Sequence, residues 1–176
     1  MAILIKDRRI VNDSWQLLEL QPWLQVGEDG LLADFPDAVD LIVPPKLWAL
    51  RRDDLLTRRG RLGLRLEAGD ELTEVAADLE HFALVAVSFP KYGDGRGYST
   101  ARLLRERYGY QGELRAVDVV ARDHLYFMEG CGFDAFALRD GEDPAEAIAA
   151  FDDFSEAYQA SVAHPVPLFR RRALGA

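Results

Sequence analysis

The sequence predicts an α/β fold: repeated βα units forming a mainly parallel, open or partial-barrel sheet, with a short N-terminal hairpin. Three observations carry this expectation. Short apolar runs alternate with segments that bear helical signals, the pattern of parallel strands joined by crossover helices. Residues suited to helix ends punctuate that alternation. The units are too few to close an eight-stranded barrel, so one sheet edge has to be covered or paired with another chain.

Ile3-Leu4-Ile5 and Arg9-Ile10-Val11 flank Lys6-Asp7-Arg8 as the arms of a small hairpin. From Trp15 to Asp37 the apolar residues keep no period, and Pro22, Gly27, Gly30 and Pro36 interrupt them, which marks a cover or connector. Strands are expected at 39–43, 62–66, 83–89, 114–117 and 135–138. Pro44-Pro45 starts the first helix, where a missing N–H costs little, and Gly60 ends it in a left-handed cap. Asp70 caps a second helix, whose Leu72, Val75, Ala76 and Leu79 form a stripe toward the sheet. Ser99 caps a third that ends at Gly109, and Val120, His124, Phe127 and Cys131 share one face of a fourth. Asp143-Pro144-Ala145-Glu146 combines a cap, a first-position proline and a first-turn carboxylate. It opens a last helix with Ala147, Phe151, Phe154 and Tyr158 on its buried face. The tail, with Pro165, Pro167 and Arg170 to Arg172, cannot continue that helix and is expected on the surface. The chain so divides into a hairpin and connector at 1–38, an α/β core at 39–160 and a tail at 161–176, as a single domain.

Charge and cysteine usage narrow the function classes. With 21 Lys and Arg against 30 Asp and Glu the formal charge is −9, which repels phosphate backbones and argues against nucleic acid as a partner. Cys131 is the sole cysteine and cannot form an intrachain disulfide, while MAILIKDRRI lacks the apolar run of a secretory signal. A reducing cytoplasm is the expected compartment. The longest mainly apolar stretch, Phe82 to Phe89, is too short for a bilayer span, so no membrane role is expected.

The richest segment chemically is Ser88-Phe89-Pro90-Lys91-Tyr92-Gly93-Asp94-Gly95-Arg96-Gly97-Tyr98-Ser99, which joins the most hydrophobic strand to a helix start. Amides of Gly93, Gly95 and Gly97, the Ser99 hydroxyl and the charges of Lys91 and Arg96 can converge there on a small anion. The plainer reading is a tight connection whose Lys91 and Arg96 pair with carboxylates such as Asp94. No Gly-Lys-Ser/Thr ending makes it a Walker loop, and its G-x-G-x-G departs from the dinucleotide fingerprint, although Asp118 stands near the place of a ribose-binding acid.

Parallel strands bring their carboxyl-terminal loops to one edge, gathering Lys46, Arg96, Asp118 and Arg139 or Asp140. Asp94, Arg96 and Asp123 are the catalytic candidates, with Asp94 able to orient Arg96 and Asp118 or Asp123 to act as a base; Arg115, Asp118, His124 and Arg139 are secondary candidates. Each carboxylate has the alternative of a solvated salt-bridge rim, and His124 that of a packed histidine beside Phe127 and Cys131. His81 and His164 are isolated, so neither a zinc site nor a cysteine-ligated cluster can be assembled from this chain, and no cofactor is identified. No serine or cysteine lies in a nucleophile elbow.

FPKYGDGRGYSTARLLRERYGYQGELRA, then RDHLYFMEGCGFDAFALR and the ending YQASVAHPVPLFRRR, closely resemble a bacterial family of unknown function often labelled an oxidoreductase probably involved in sulfite reduction. The likeness runs from about Asp40 to Arg172. It implies a place beside assimilatory sulfite reductase, whose genes commonly accompany the family, and family-typical positions at Asp94, Gly95, Arg96, Ser99, Arg102, Arg105, Gly112, Glu113, Arg115, Asp123, Gly132, Phe133 and Asp134. Asp118-Val119 stands where the family usually has Gly-Asp. Three functions follow as expectations: an accessory protein of sulfite assimilation with a small-anion site at the glycine-rich connector, an oxidoreductase or nucleotide-dependent enzyme using the same strand edge, or an interaction module for sulfite reductase or a second copy of the chain as a homodimer.

Overall fold

The fold was analysed in a computed structural model, which describes residues 3–18, 37–154, 156–162 and 165–173. Residues 19–36 of the expected connector, and His164, lie outside the described residues. The hairpin forms as expected: β1 (Ile3–Lys6) and β2 (Arg9–Asn12) pair antiparallel across Asp7 and Arg8, whose φ values of 49° and 60° make the mirror-image turn that suits a two-residue hairpin. The chain then enters β3 (Gln16–Leu17), a strand the aperiodic sequence there does not announce.

From β3 onward the strands stand side by side in chain order and run parallel: β4 (Leu41–Val43), β5 (Leu62–Leu66), β6 (Leu84–Phe89), β7 (Glu113–Asp118) and β8 (Ala135–Phe136). The hairpin closes the order antiparallel to β8, giving a curled eight-stranded half-barrel, β2-β1-β8-β7-β6-β5-β4-β3. Among the described residues no strand bridges β2 and β3.

Alternation along the strands divides their side chains between two apolar layers. Leu41, Val43, Leu64, Leu66, Val85, Val87, Leu114 and Ala116 enter the main core with the helices, whereas Ile42, Leu84 and Ala86 face the other way onto Trp15, Leu17 and Val117. Both faces of β6 are therefore covered, and all six of its residues are buried, which is why it reads as an unbroken apolar run.

The helices keep their expected places but are shorter. Pro44 and Pro45 open α1 (Pro45–Leu56), yet it ends at Thr57 in an ordinary right-handed conformation. Gly60 is not its left-handed cap: a Cβ there would collide with the Val39 carbonyl oxygen, so this glycine serves a close backbone approach. The stripe of Leu72, Val75 and Leu79 is buried as expected, but on two 3-10 segments, 72–74 and 76–81; Asp70 is not a cap and instead accepts from the Glu67 amide. The third helix, α2 (Arg96–Arg102), starts before Ser99, which lies inside it, and continues as a π turn over 103–107 to Gly109 at φ 64°. α3 (Leu125–Gly130) buries Leu125 and Met128 but turns Phe127 out, so the expected shared face with His124 and Cys131 breaks at that residue.

Asp143 caps α4 (Pro144–Ala147) as expected, its carboxylate accepting from the Ala145 amide at 2.8 Å. A 3-10 segment over 148–152 follows and buries Phe151, but the element ends there, leaving Phe154 and Tyr158 exposed against expectation. The tail makes a short helix, α5 (Leu168–Ala173), held back by Arg171 through Glu156 and the Ala157 carbonyl. No helix among the described residues is long and apolar enough to cross a membrane.

Candidate functional site

The parallel order aims the carboxyl ends of β5, β6 and β7 at one mouth. β6 ends at Phe89, in register with Asp118 at the end of β7, and the connector from 90 to 95 leaves from this point. The connector is largely exposed. Asp94 is bound by Arg96 three times: it accepts from Arg96 Nε at 3.0 Å, Nη2 at 2.6 Å and the backbone amide at 3.2 Å. These hydrogen bonds, with the Arg96 and Lys91 charges, pull the Asp94 carboxyl down to about 2. A carboxylate so depressed is a poor general base at neutral pH, and its position instead fixes the Arg96 guanidinium. Of the five N–H groups of Arg96, Asp94 takes two, leaving the Nη1 end of a side chain that is 64% exposed.

Lys91, Gly93, Gly95 and Ser99 are all exposed. Gly97 is buried because its missing Cβ makes room for the Phe89 ring, which a Cβ would meet at 2.6 Å. This glycine's task is packing; the aromatic end of β6 sits beneath the helix start.

Tyr92 draws two secondary candidates to the connector. His124 packs on it with ring centroids 4.5 Å apart, and the Arg139 guanidinium lies 6.0 Å above its ring while pairing with Glu142 at 2.8 Å. Burial lowers the His124 pKa, so the imidazole is neutral at physiological pH. Asp123, on the same turn, is exposed and lies 3.8 Å from Arg122. Lys46 and Asp140 are exposed as well.

Asp118 anchors a second group that the sequence reading missed. Its carboxylate accepts from the buried Ser88 hydroxyl at 2.5 Å and from Arg65 Nη2 at 3.0 and 3.2 Å, and Arg65 Nε reaches Glu67 at 2.7 Å. Burial opposes the Arg65 charge, but Glu67 and Asp118 together outweigh it and raise its pKa. The available signals were the lone Arg65 in Leu62-Gly63-Leu64-Arg65-Leu66 and the lone Ser88 in an apolar strand, both at alternate positions on one face.

Asp118 has φ 76°, a left-handed conformation that costs a side chain about 1 kcal/mol or more. Two expectations follow. Asp118→Ala loses its bonds and keeps the strain, whereas Asp118→Gly loses the bonds alone, so urea unfolding should find the glycine variant more stable by about 1 kcal/mol. Asp94 should titrate near 2 by carboxyl carbon NMR and rise toward its ordinary 3.8 in Arg96→Ala, which removes the guanidinium but keeps the residue-96 amide and the Lys91 charge. Being depressed in the folded state, its contribution is present above 3.8 and is lost as the pH falls toward 2.

Arg115 does not belong to this mouth. It is 3% exposed near the start of β7, where it binds Asp13 at 2.8 Å and Glu113 at 2.7 Å, and Glu113 also holds Lys6. Its side chain ties β7 to the segment after β2, away from the other candidate residues. Arg105, Gly112, Gly132 and Asp134 likewise form an architectural joint: Arg105 donates to the carbonyls of Gly132, Tyr110 and Gly112 and to Asp134. Among the described residues no three His, Cys, Asp or Glu side chains come together as metal ligands.

None of the curated proteins compared with the chain matches it. The model of a family described as a bacterial protein of unknown function, DUF934, does match, over residues 63–169. That span runs from β5 into α5, covers more than half the chain, and contains the connector, the Asp118 group and the Arg105 joint; the chain belongs to this bacterial family of unknown function.

Proposed function

We propose that this protein is an accessory component of assimilatory sulfite reduction that holds a small oxyanion at the carboxyl-terminal mouth of its parallel sheet. The observation that carries the proposal is Arg96: exposed, braced by Asp94 through Nε and Nη2, and left with a free forked end, at the end of a connector that also carries the exposed Lys91. A guanidinium fixed in this way loses little freedom when it donates two parallel hydrogen bonds to sulfite, sulfate or phosphate. Lys91 adds a positive charge on the same exposed connector, which favours an anion there. The resemblance described above supplies the link to sulfite, and the local geometry supplies the anion class.

Titration calorimetry with the three anions on wild type and Arg96→Ala tests this. Wild type should give a saturable heat and Arg96→Ala a dissociation constant at least tenfold weaker, the equivalent of about 1.4 kcal/mol. Equal heats in the two proteins, or none in either, would remove the anion.

A second reading, docking onto sulfite reductase, is favoured by a separate observation. Tyr92 and Phe127 are exposed, and Phe127 packs edge-on against Tyr98 with centroids 5.0 Å apart, so an aromatic surface borders the connector. Aromatic residues of this kind are common anchors of protein interfaces. Capture of the reductase by wild type but not by Phe127→Asp supports that reading; equal capture argues against it.

A further inference from the structure

We infer that β2 pairs with β2 of a second copy of the chain, antiparallel about a two-fold axis through Val11, which joins two half-barrels edge to edge. The inference rests on the hairpin and is independent of the anion site. A two-residue turn makes Lys6 and Arg9 a hydrogen-bonded pair, so the pairs alternate: Leu4 with Val11 bonded, Ile5 with Ile10 and Ile3 with Asn12 not. The amide of Asp7 bonding to the Asp134 carbonyl at 2.9 Å fits this phase, since Asp7 and Ile5 turn toward β8 while Lys6 turns toward β2.

It follows that the N–H and C=O groups of Ile10 and Asn12 point away from β1, to the side of β2 that no other strand among the described residues pairs. Arg9, Ile10 and Asn12 are exposed, with Ile10 at 47%, and the strand has no proline or bulge to blunt its edge.

A second copy fits this edge because of its symmetry. An antiparallel pair of identical strands needs a two-fold axis perpendicular to the sheet, which pairs residues of like parity. Centred on Val11, Ile10 of each copy lies opposite Asn12 of the other, and the four outward groups on each side close four reciprocal hydrogen bonds. Centring on Ile10 closes only two before Arg8, at φ 60°, leaves the strand. The Val11 register also sets Arg9 of each copy opposite Asp13 of the other, on the face where Asp13 binds Arg115, so the charges match across the axis.

At the axis the two Val11 residues form a non-hydrogen-bonded pair, with Cα atoms about 4.5 Å apart. This spacing falls inside the range a disulfide spans. The one native cysteine, Cys131, is buried, so it does not confuse the readout. Val11→Cys should therefore cross-link into a covalent dimer on mild oxidation, whereas Ile10→Cys, opposite Asn12, should not. An edge of this size makes a concentration-dependent dimer, so sedimentation of the full chain up to about 0.5 mM should approach twice the 19.8 kDa chain mass. Asn12→Pro removes one outward N–H per copy while sparing the bonds to β1, and should sediment as a monomer with an unchanged circular dichroism spectrum. A wild type that stays monomeric throughout, growth past the dimer into filaments, or cross-linking of the Ile10→Cys variant in place of Val11→Cys would each overturn the pairing.

Discussion

Arg115→Met is expected to cost about 3–5 kcal/mol of stability. Arg115 is 3% exposed and satisfies Asp13 and Glu113, which are themselves 16% and 8% exposed. Methionine fills much of the same volume without a charge, so the cavity is small. What it leaves behind is two carboxylates in a dry part of the sheet, with Lys6 as the remaining partner of Glu113. Removing one member of a buried network is costlier than removing both, because the survivor keeps its desolvation penalty. The double variant Arg115→Met, Glu113→Gln should therefore be more stable than Arg115→Met alone by urea unfolding. A stable Arg115→Met that no longer binds anions would instead return Arg115 to the functional site.

Arg105→Ala should cost about 3 kcal/mol, lowering Tm by about 10 °C for a chain of this length. One guanidinium here serves four acceptors: Gly132 at 3.0 Å, Tyr110 at 2.7 Å, Gly112 at 2.9 Å and Asp134 at 2.7 Å. It joins the π turn after α2 to the start of β7 and to the turn before β8. Asp134 in turn accepts from the Leu114 amide at 2.9 Å, and burial raises its pKa even with these partners present. Without Arg105 that carboxyl is left with the Leu114 amide, and the three carbonyls lose their donor. The effect stays below that of Arg115 because Asp134 is 33% exposed and can recruit water. Arg105→Lys should recover only a fraction of the loss, since an ammonium cannot fork to four acceptors on two segments. Calorimetric unfolding of the two variants checks the ranking.

The parallel strands β4 to β8 were legible because each leaves a local trace. Burial on both faces makes β6 an apolar run, and Pro44-Pro45 and Asp143-Pro144 act through their own backbone, so their signals do not depend on distant residues. β3 left no trace: two residues are too few to show a period, and they are held as a strand by pairing with β4. Helix lengths failed for a related reason. The stripe from Leu72 to Leu79 buries the same side chains on 3-10 turns as on an α-helix, so apolar spacing alone could not choose between them.

At the mouth, the pairing of Asp94 with Arg96 was readable because the two residues are neighbours in the chain. The association of Arg65, Ser88 and Asp118 depends on the registers of β5 with β6 and β6 with β7, and Arg115 could be recognised as structural only once Asp13 had been brought across the sheet. Clusters built from several strands become visible when the strands are in place.

The claim of an oxyanion at the connector is tested most directly by following the Arg96 Nε–H resonance and the amides of Gly93, Gly95 and Gly97 by nitrogen–proton NMR during titration with sulfite. Saturable shifts concentrated on Arg96 and these glycines, abolished in Arg96→Ala, are the predicted result. Shifts spread evenly over the surface, or confined to residues away from the strand ends, would contradict it.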